Sequence, residues 1–417
     1  MSLKKGSAWC IFLLVLAAST TGCVGVVVDE ETIVTDRPMR ENTGEYVFPV
    51  GFEAFNDDVG INFLLNRTYS MGYARYEDMV AVGEKIESRD DLMTEMTRMA
   101  DVAVEDGRLM NAAFYYRAAE LYALWSDPVK ASLYDRFIEY FYLAVEADDF
   151  ELIDIPYGDT FLSVMHVAPD TADQRGTIIV HAGYDGFKEE LYSTMRYLSA
   201  NGYEVISFDV PWMGRARTPD TAGLDYEWEK PIGAILDHYE IDDASLFGIS
   251  FGGWLALRAA AFEPRISRVI ASSVSLDVNQ YAGRSGQLIA RFFMANLRKM
   301  TNNMLLKQMD KDPQQAWFFD HLMHVTNKTT PIEATDVLSE INEENIHSEL
   351  VTQDVLILTG KDDHLVPFKM HNMQIKALVN AASVTPMVFT SDVHGQNHCQ
   401  VGNLGLALDI VVDWLDQ

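Results

Sequence analysis

From about residue 150 the chain repeats one unit: a short run rich in β-branched residues, then a helical stretch. GTIIVHAG, YEVISFDV, SLFGIS, SRVIASSV, DVLILTG and VTPMVFT recur with helical segments among most of them. Strands that read as continuous apolar runs are covered on both faces, and the helices between them supply the crossovers that parallel pairing needs. The expected fold class is therefore α/β with a mostly parallel central sheet, whose binding crevice lies at the C-terminal ends of the strands. FELIDIPY and TFLSVMHVAP are separated only by the turn around Gly158, too short for a crossover helix, and predict an antiparallel edge.

One of these strands ends unusually. LFGISFG carries Ser250 between Gly248 and Gly252, and the apolar stretch WLALRAA follows. A strand that turns sharply into a helix needs small residues two positions either side of the corner, and it holds the corner side chain above the sheet edge. The amide of Phe251 then opens the helix, where backbone donors have no internal acceptor and the helix dipole favours negative charge. Ser250 is a candidate nucleophile and Phe251 a candidate oxyanion donor. A chance glycine turn is the plainer reading of GxSxG alone.

A serine hydroxyl needs a base, and the base needs an orienting carboxylate. LILTGKDDHLVP offers Asp363 just past a strand, with Asp362 as a rival more simply read as a solvated loop charge. After the last strand, VFTSDVHGQNHCQVGN offers His394 and His398. Serine, aspartate and histidine in this order, each just beyond a strand, form a stronger signal together than any one of them. The run IIVHAGYDG brings Gly183 and Tyr184 to the same edge, where their amides could give a second oxyanion donor; the alternative is that the glycines only shape a turn. His181 is expected to shape that loop.

With these residues in place, the segment from about 150 to 417 resembles the α/β-hydrolase fold. SFDVPWMGRARTPD is similar to the loop after the fourth strand in that fold, with Asp209, Pro211 and Gly214 matching and Trp212 where glycine is usual. A narrower resemblance covers nearly the whole folded chain. IPYGDTFLSVMHVAP, HAGYDGFKEE, GISFGG, TGKDDHLVP and HCQVGN, with the helical segment before them, resemble the subgroup of 2,6-dihydroxypseudooxynicotine hydrolase and the fungal polyketide-shortening hydrolases. The resemblance implies a helical cap before the catalytic domain. It also assigns the triad to Ser250, Asp363 and His398, the HCQ match favouring His398 over His394. Where that subgroup has HGG, this chain has His181, Ala182 and Gly183.

The expected organisation is a signal peptide over 1–22, a polar tether over 23–56, a helical cap over 57–149, and the catalytic domain over 150–417 with a helical insertion at about 280–350. In the cap, NAAFYYRAAELYALWSDP has helical spacing that stops and restarts at Asp127 and Pro128. The insertion contains LIARFFMANLRKM and WFFDHLMHV, whose aromatics and methionines read first as core packing and second as the lid of an apolar pocket.

Lys4 and Lys5 precede the apolar WCIFLLVLAA, which suits a signal-peptide core better than a permanent span. STTGC resembles the processing box of bacterial lipoproteins and makes Cys23 the candidate lipidation site, although Thr20 stands where leucine is usual. The sequence expectation is thus an exported, lipid-anchored membrane protein at the cell envelope, with plain signal cleavage or an uncleaved anchor as alternatives. Cys399 is the one remaining cysteine after Cys10 and Cys23, so no disulfide staples the body, and it reads as buried packing.

The chain carries 32 Lys and Arg against 62 Asp and Glu, a net charge of -30. That balance argues against a nucleic-acid partner, which needs a basic face to displace counterions. No GxGxxG or P-loop follows a strand, so no cofactor is implied. His321 and His324 stand three apart without an evident third ligand, a weak case for a metal. The partner expected is a small-molecule substrate. The first reading of the chemistry is hydrolysis of a carboxylic ester through an acyl-enzyme. The resemblance adds cleavage of a C–C bond in a β-diketone or acylphenol-like substrate, and a catalytically silent binding protein is the rival class.

Overall fold

The computed structural model describes residues 33–37, 40, 46–216 and 223–417. Eight strands form one sheet: β1 (Glu151–Tyr157), β2 (Thr160–Val167), β3 (Gly176–His181), β4 (Tyr203–Phe208), β5 (Ala244–Ile249), β6 (Ile266–Ser272), β7 (Asp354–Gly360) and β8 (Ser383–Phe389). Their order is β1-β2-β4-β3-β5-β6-β7-β8. β1 and β2 pair antiparallel at one edge, β2 runs antiparallel to β4, and every pairing from β4 through β8 is parallel. This is the mostly parallel sheet with an antiparallel edge that the strand spacing predicts.

The winding reverses once. From β3 the chain crosses to β4 on one side, and β5 then takes the other side of β3. Connections that leave adjacent strands in opposite directions open a crevice at their carboxyl ends. Parallel register sets His181 beside Gly248, so the loop after β3 and the corner after β5 rise from neighbouring positions at that opening.

Among the described residues five helices precede the sheet: α1 (Val59–Ser70), α2 (Tyr76–Gly83), α3 (Arg89–Glu105), α4 (Leu109–Leu121) and α5 (Pro128–Ala144). The restart at 127–128 is explicit, since the Asp127 side chain accepts from the Val129 amide and Pro128 occupies the first turn. Every residue of α4 from Ala112 to Leu121 is buried. Alanines and aromatics on every face fit it between neighbours, yet the same helix buries Arg117 and Glu120.

Three helices pack among the strands, α6 (Tyr192–Ala200), α7 (Glu229–His238) and α8 (Phe251–Phe262). Between β6 and β7 lies the insertion, α9 (Arg284–Asn296), α10 (Arg298–Met309), α11 (Pro313–Thr326), α12 (Pro331–Leu338) and α13 (Glu343–Ile346); α14 (Lys369–Ala377) and α15 (Leu404–Leu415) complete the chain.

Two expectations need correction here. Among the described residues no helix is long and apolar enough to cross a membrane, which contradicts the membrane reading as far as a spanning helix among them goes and does not bear on a lipid anchor. The signal segment and Cys23 lie outside the described residues. The insertion is not core packing alone: Trp317 and Phe318 are buried against the body and also line the central cavity, because α11 lies over the crevice.

Candidate active site

The corner after β5 explains the glycines around Ser250. Ser250 has φ 62°, ψ −126°, a left-handed backbone that an L-residue adopts only when its surroundings enforce it. Its amide donates to the Ser272 carbonyl at 2.9 Å, which ties the corner to β6. A Cβ at Gly252 would lie 2.8 Å from the Ala182 carbonyl, and one at Gly248 would collide with the Gly252 carbonyl. Strand, helix and the loop after β3 therefore meet at a distance that only glycine allows.

The structure brings Ser250, His398 and Asp363 into one chain of hydrogen bonds. Ser250 Oγ is 2.7 Å from His398 Nε2, and His398 Nδ1 is 2.8 Å from Asp363 Oδ2. The other carboxylate oxygen of Asp363 accepts from the amides of Leu365 and Val366 at 2.8 and 2.9 Å. This fixes the carboxylate and, through it, the imidazole tautomer, with Nδ1–H donating and Nε2 free to accept from the serine. The rivals stand apart. His394 and Asp362 are both exposed, and the Asp362 amide serves only to hold the Gln396 carbonyl.

Electrostatics follow from burial. Desolvation alone would lower the His398 pKa, but the Asp363 carboxylate and Cys399 more than offset it and hold the imidazole well above its ordinary 6.5. Asp363 is pushed up by burial and pulled down further by His398 and the two amides, so it ends below the usual aspartate value. Both shifts favour an imidazolium beside a carboxylate, the charge state reached when serine gives up its proton.

Phe251 is the first residue of α8, so its N–H has no intrahelical acceptor. Across from it, a Cβ at Gly183 would lie 2.7 Å from the Phe251 nitrogen. Gly183 and Tyr184 thus sit beside the candidate donor. His181, expected to shape this loop, is fully buried; its Nε2 accepts from Trp228 Nε1–H at 3.2 Å and its Nδ1–H donates to the Ala182 carbonyl at 2.9 Å.

These groups open into a cavity of about 790 Å³. Its walls include Phe63 from α1 and Met71 just after it, Tyr122 after α4, Trp317 and Phe318 from α11, and His364. His364 is held near a pKa of about 4 by burial and by His398, so it is neutral. Cys399 is half-buried and lines the cavity, contrary to the packing expectation. Cys399 and Gln400 both have left-handed backbone, φ 52° and 56°.

Behind the loop after β3 lies a charge network that motif reading missed. Arg117 Nε donates to Glu190 at 2.9 Å and its Nη2 to the Asp185 carbonyl at 2.5 Å; it also pairs with Glu120. Glu120 in turn holds Lys130 at 2.7 Å, and Arg67 from α1 reaches Glu190 at 2.7 Å and Asp185 at 3.3 Å. Burial raises the Asp185 pKa, but Arg67 and Arg117 outweigh it and bring it to about 2. His321 and His324 are both engaged with Trp125, the first through a hydrogen bond and the second stacked at 3.4 Å. Among the described residues no group of three or more His, Cys, Asp or Glu is arranged to hold a metal ion.

The chain belongs to the Alpha/beta hydrolase family, whose profile matches residues 178–393. Among characterised proteins it is similar to an alpha/beta hydrolase, psoB, of Aspergillus fumigatus, at 25% identity over 296 residues, 64% of this chain and 66% of that one. It is also similar to the 20-hydroxy-prefusarin hydrolase FUS2 of Gibberella moniliformis, at 28% over 184 residues, 40% of this chain and 42% of that one. The chain thus spans two thirds or less of the length of these two relatives. The fold matches the crystal structure of the 2,6-dihydroxy-pseudo-oxynicotine hydrolase with TM-score 0.58 at 19% identity, covering 84% of this chain and 94% of that one. AbyA5 matches with TM-score 0.61 at 16% identity, covering 86% and 95%.

Proposed function

We propose that this chain is a serine-dependent hydrolase that cleaves a carbon–carbon bond beside a ketone in a medium-sized organic substrate, in place of the ester first expected. The observation that carries the hydrolase reading is the hydrogen-bonded run Ser250–His398–Asp363 at the floor of the roofed cavity. A silent binding protein has no need of that alignment.

In this reading His398 Nε2 takes the Ser250 proton as Oγ attacks the carbonyl carbon. The oxyanion is met by the amide of Phe251 and by an amide at Gly183 or Tyr184. Collapse breaks the C–C bond and sends its electron pair into the leaving fragment. That pair needs a second carbonyl or an aromatic ring to spread into, and the His398 imidazolium returns the proton. Water, activated by His398, then releases the acid from Ser250.

Ester cleavage shares every step up to the leaving group, so the triad alone does not choose. Support for C–C cleavage comes from the subgroup resemblance together with the 20-hydroxy-prefusarin and 2,6-dihydroxy-pseudo-oxynicotine hydrolases among the similar proteins. The aromatic walls Phe63, Tyr122, Trp317 and Phe318 suit a flat, delocalised leaving fragment. A panel of 1,3-diketones, acylphenols and aryl esters, with products identified by mass, tests this. Diketone or acylphenol turnover into an acid plus a ketone or phenol is expected; turnover confined to aryl esters would return the reading to an esterase.

A further inference from the structure

The insertion and the N-terminal helices are joined above the crevice. Trp125, between α4 and α5, gives its backbone amide to Asp320 at 2.6 Å and its ring N–H to His321 Nδ1 at 3.0 Å. Trp317 Nε1 donates to the Leu121 carbonyl at 2.6 Å. These bonds run from the end of α4 to α11, so the two segments form one roof although nearly 200 residues separate them.

The roof touches the loop after β3 at a telling place. His321 is buried, and burial first, with Lys130 second, holds its pKa near 4, so the ring is neutral. Since Nδ1 accepts from Trp125, the proton lies on Nε2, which is 3.2 Å from the Tyr184 carbonyl and must donate to it. On the other side of Gly183, His181 is built the same way. Trp228 fixes its tautomer and its remaining N–H binds the Ala182 carbonyl. A peptide unit is planar, so a fixed carbonyl fixes the N–H of the next residue. Two Trp–His pairs therefore pin the peptide planes on both sides of the Gly183–Tyr184 unit, and Arg117 holds the Asp185 carbonyl beyond them.

We propose that Trp125 and His321 are positioning residues for the oxyanion site: the roof sets the amide geometry beside Ser250, and is not only a wall that selects substrate size. The proposal rests on the serine-hydrolase reading. Neither Trp125 nor His321 is among the described residues that line the cavity, so neither acts by touching substrate. Tyr122, Trp317 and Phe318 do line it, and a substrate that fills the cavity braces the same helices that hold the loop. Part of its binding energy then goes into ordering the oxyanion donors.

The test compares Trp125→Phe, His321→Leu and His321→Gln with the full-length wild type. The readouts are steady-state hydrolysis of p-nitrophenyl acetate, the rate of Ser250 labelling by a fluorophosphonate, and a thermal melt for folded fraction. A displaced donor costs on the order of tenfold to a hundredfold in rate. Trp125→Phe and His321→Leu should lose that much kcat on this tiny ester with KM within about twofold, and labelling should slow in parallel. His321→Gln, which keeps an N–H donor, should recover part of the loss. Folded Trp125→Phe and His321→Leu proteins with wild-type kcat and labelling rate would overturn the proposal while leaving the serine-hydrolase reading intact. A wild type that is neither labelled nor active would overturn both.

Discussion

The Ser250–His398–Asp363 run at the sheet edge and the charge network under the roof are both chains of polar contacts set well into the molecule, yet they are assembled differently. The triad draws one residue from each of three loops that directly follow β5, β7 and β8, so strand order alone brings them together. The network draws Arg67 from α1, Arg117 and Glu120 from α4, Lys130 from α5, and Asp185 and Glu190 from the loop after β3. Its geometry exists only once the roof has docked. The first should govern chemistry with little effect on folding, and the second should govern folding and, through the loop it holds, chemistry as well.

The sharpest way to break that division is Asp363→Asn, which keeps the shape but removes the charge that orients His398. Its kcat on p-nitrophenyl acetate should fall by on the order of 10⁴-fold in a protein that still folds. Arg117→Met attacks the other region. It removes the cation that joins Glu190 to Glu120, leaving only Arg67 and Lys130 to balance them, and should cost about 3 kcal/mol of stability, read in a urea melt; a loss no larger than that of an exposed arginine would contradict the role given to the network. Gly183→Ala places a methyl against the Phe251 amide and should lower kcat by about 10²–10³-fold, the magnitude of losing one oxyanion donor.

Smaller effects follow from protonation. In the serine-hydrolase reading the neutral form of His398 is the competent base, and its pKa is raised, so the acid limb of kcat/KM should lie above 6.5. Stability runs the other way for the buried neutral imidazoles. His181 and His321 are held at about 4 by burial, so the stability they contribute is present above the unfolded value near 6.5 and is lost as pH falls from there through 4. The melting temperature should drop across that window; His398 does not offset the fall, because its raised pKa changes stability only above 6.5. His394→Ala, at an exposed position, should change neither activity nor melting.

The difference between the regions also explains what the sequence could reveal. Ser250, Asp363 and His398 were legible because each follows an apolar strand, and glycine spacing around Ser250 reports a backbone conformation that leaves few alternatives. The antiparallel edge was legible from the short turn at Gly158. Trp125, Arg117 and His321 carry no such signature. Arg117 stands among alanines and aromatics of a helix whose burial on all sides is set by its neighbours, and its partner Glu190 lies 73 residues away. The spacing of His321 from His324 suggests metal, whereas both rings are engaged by Trp125. The cavity position of Cys399 has no sequence marker, since adjacency to His398 does not say where either side chain lies.

The most direct measurement is the intact mass of the protein after exposure to a fluorophosphonate, run on wild type and Ser250→Ala side by side. One adduct on the wild type, mapped to Ser250 and absent from the variant, is the predicted result. A folded wild type that gains no mass, or a Ser250→Ala variant that gains the same adduct, would contradict the assignment of Ser250 as the reacting alcohol.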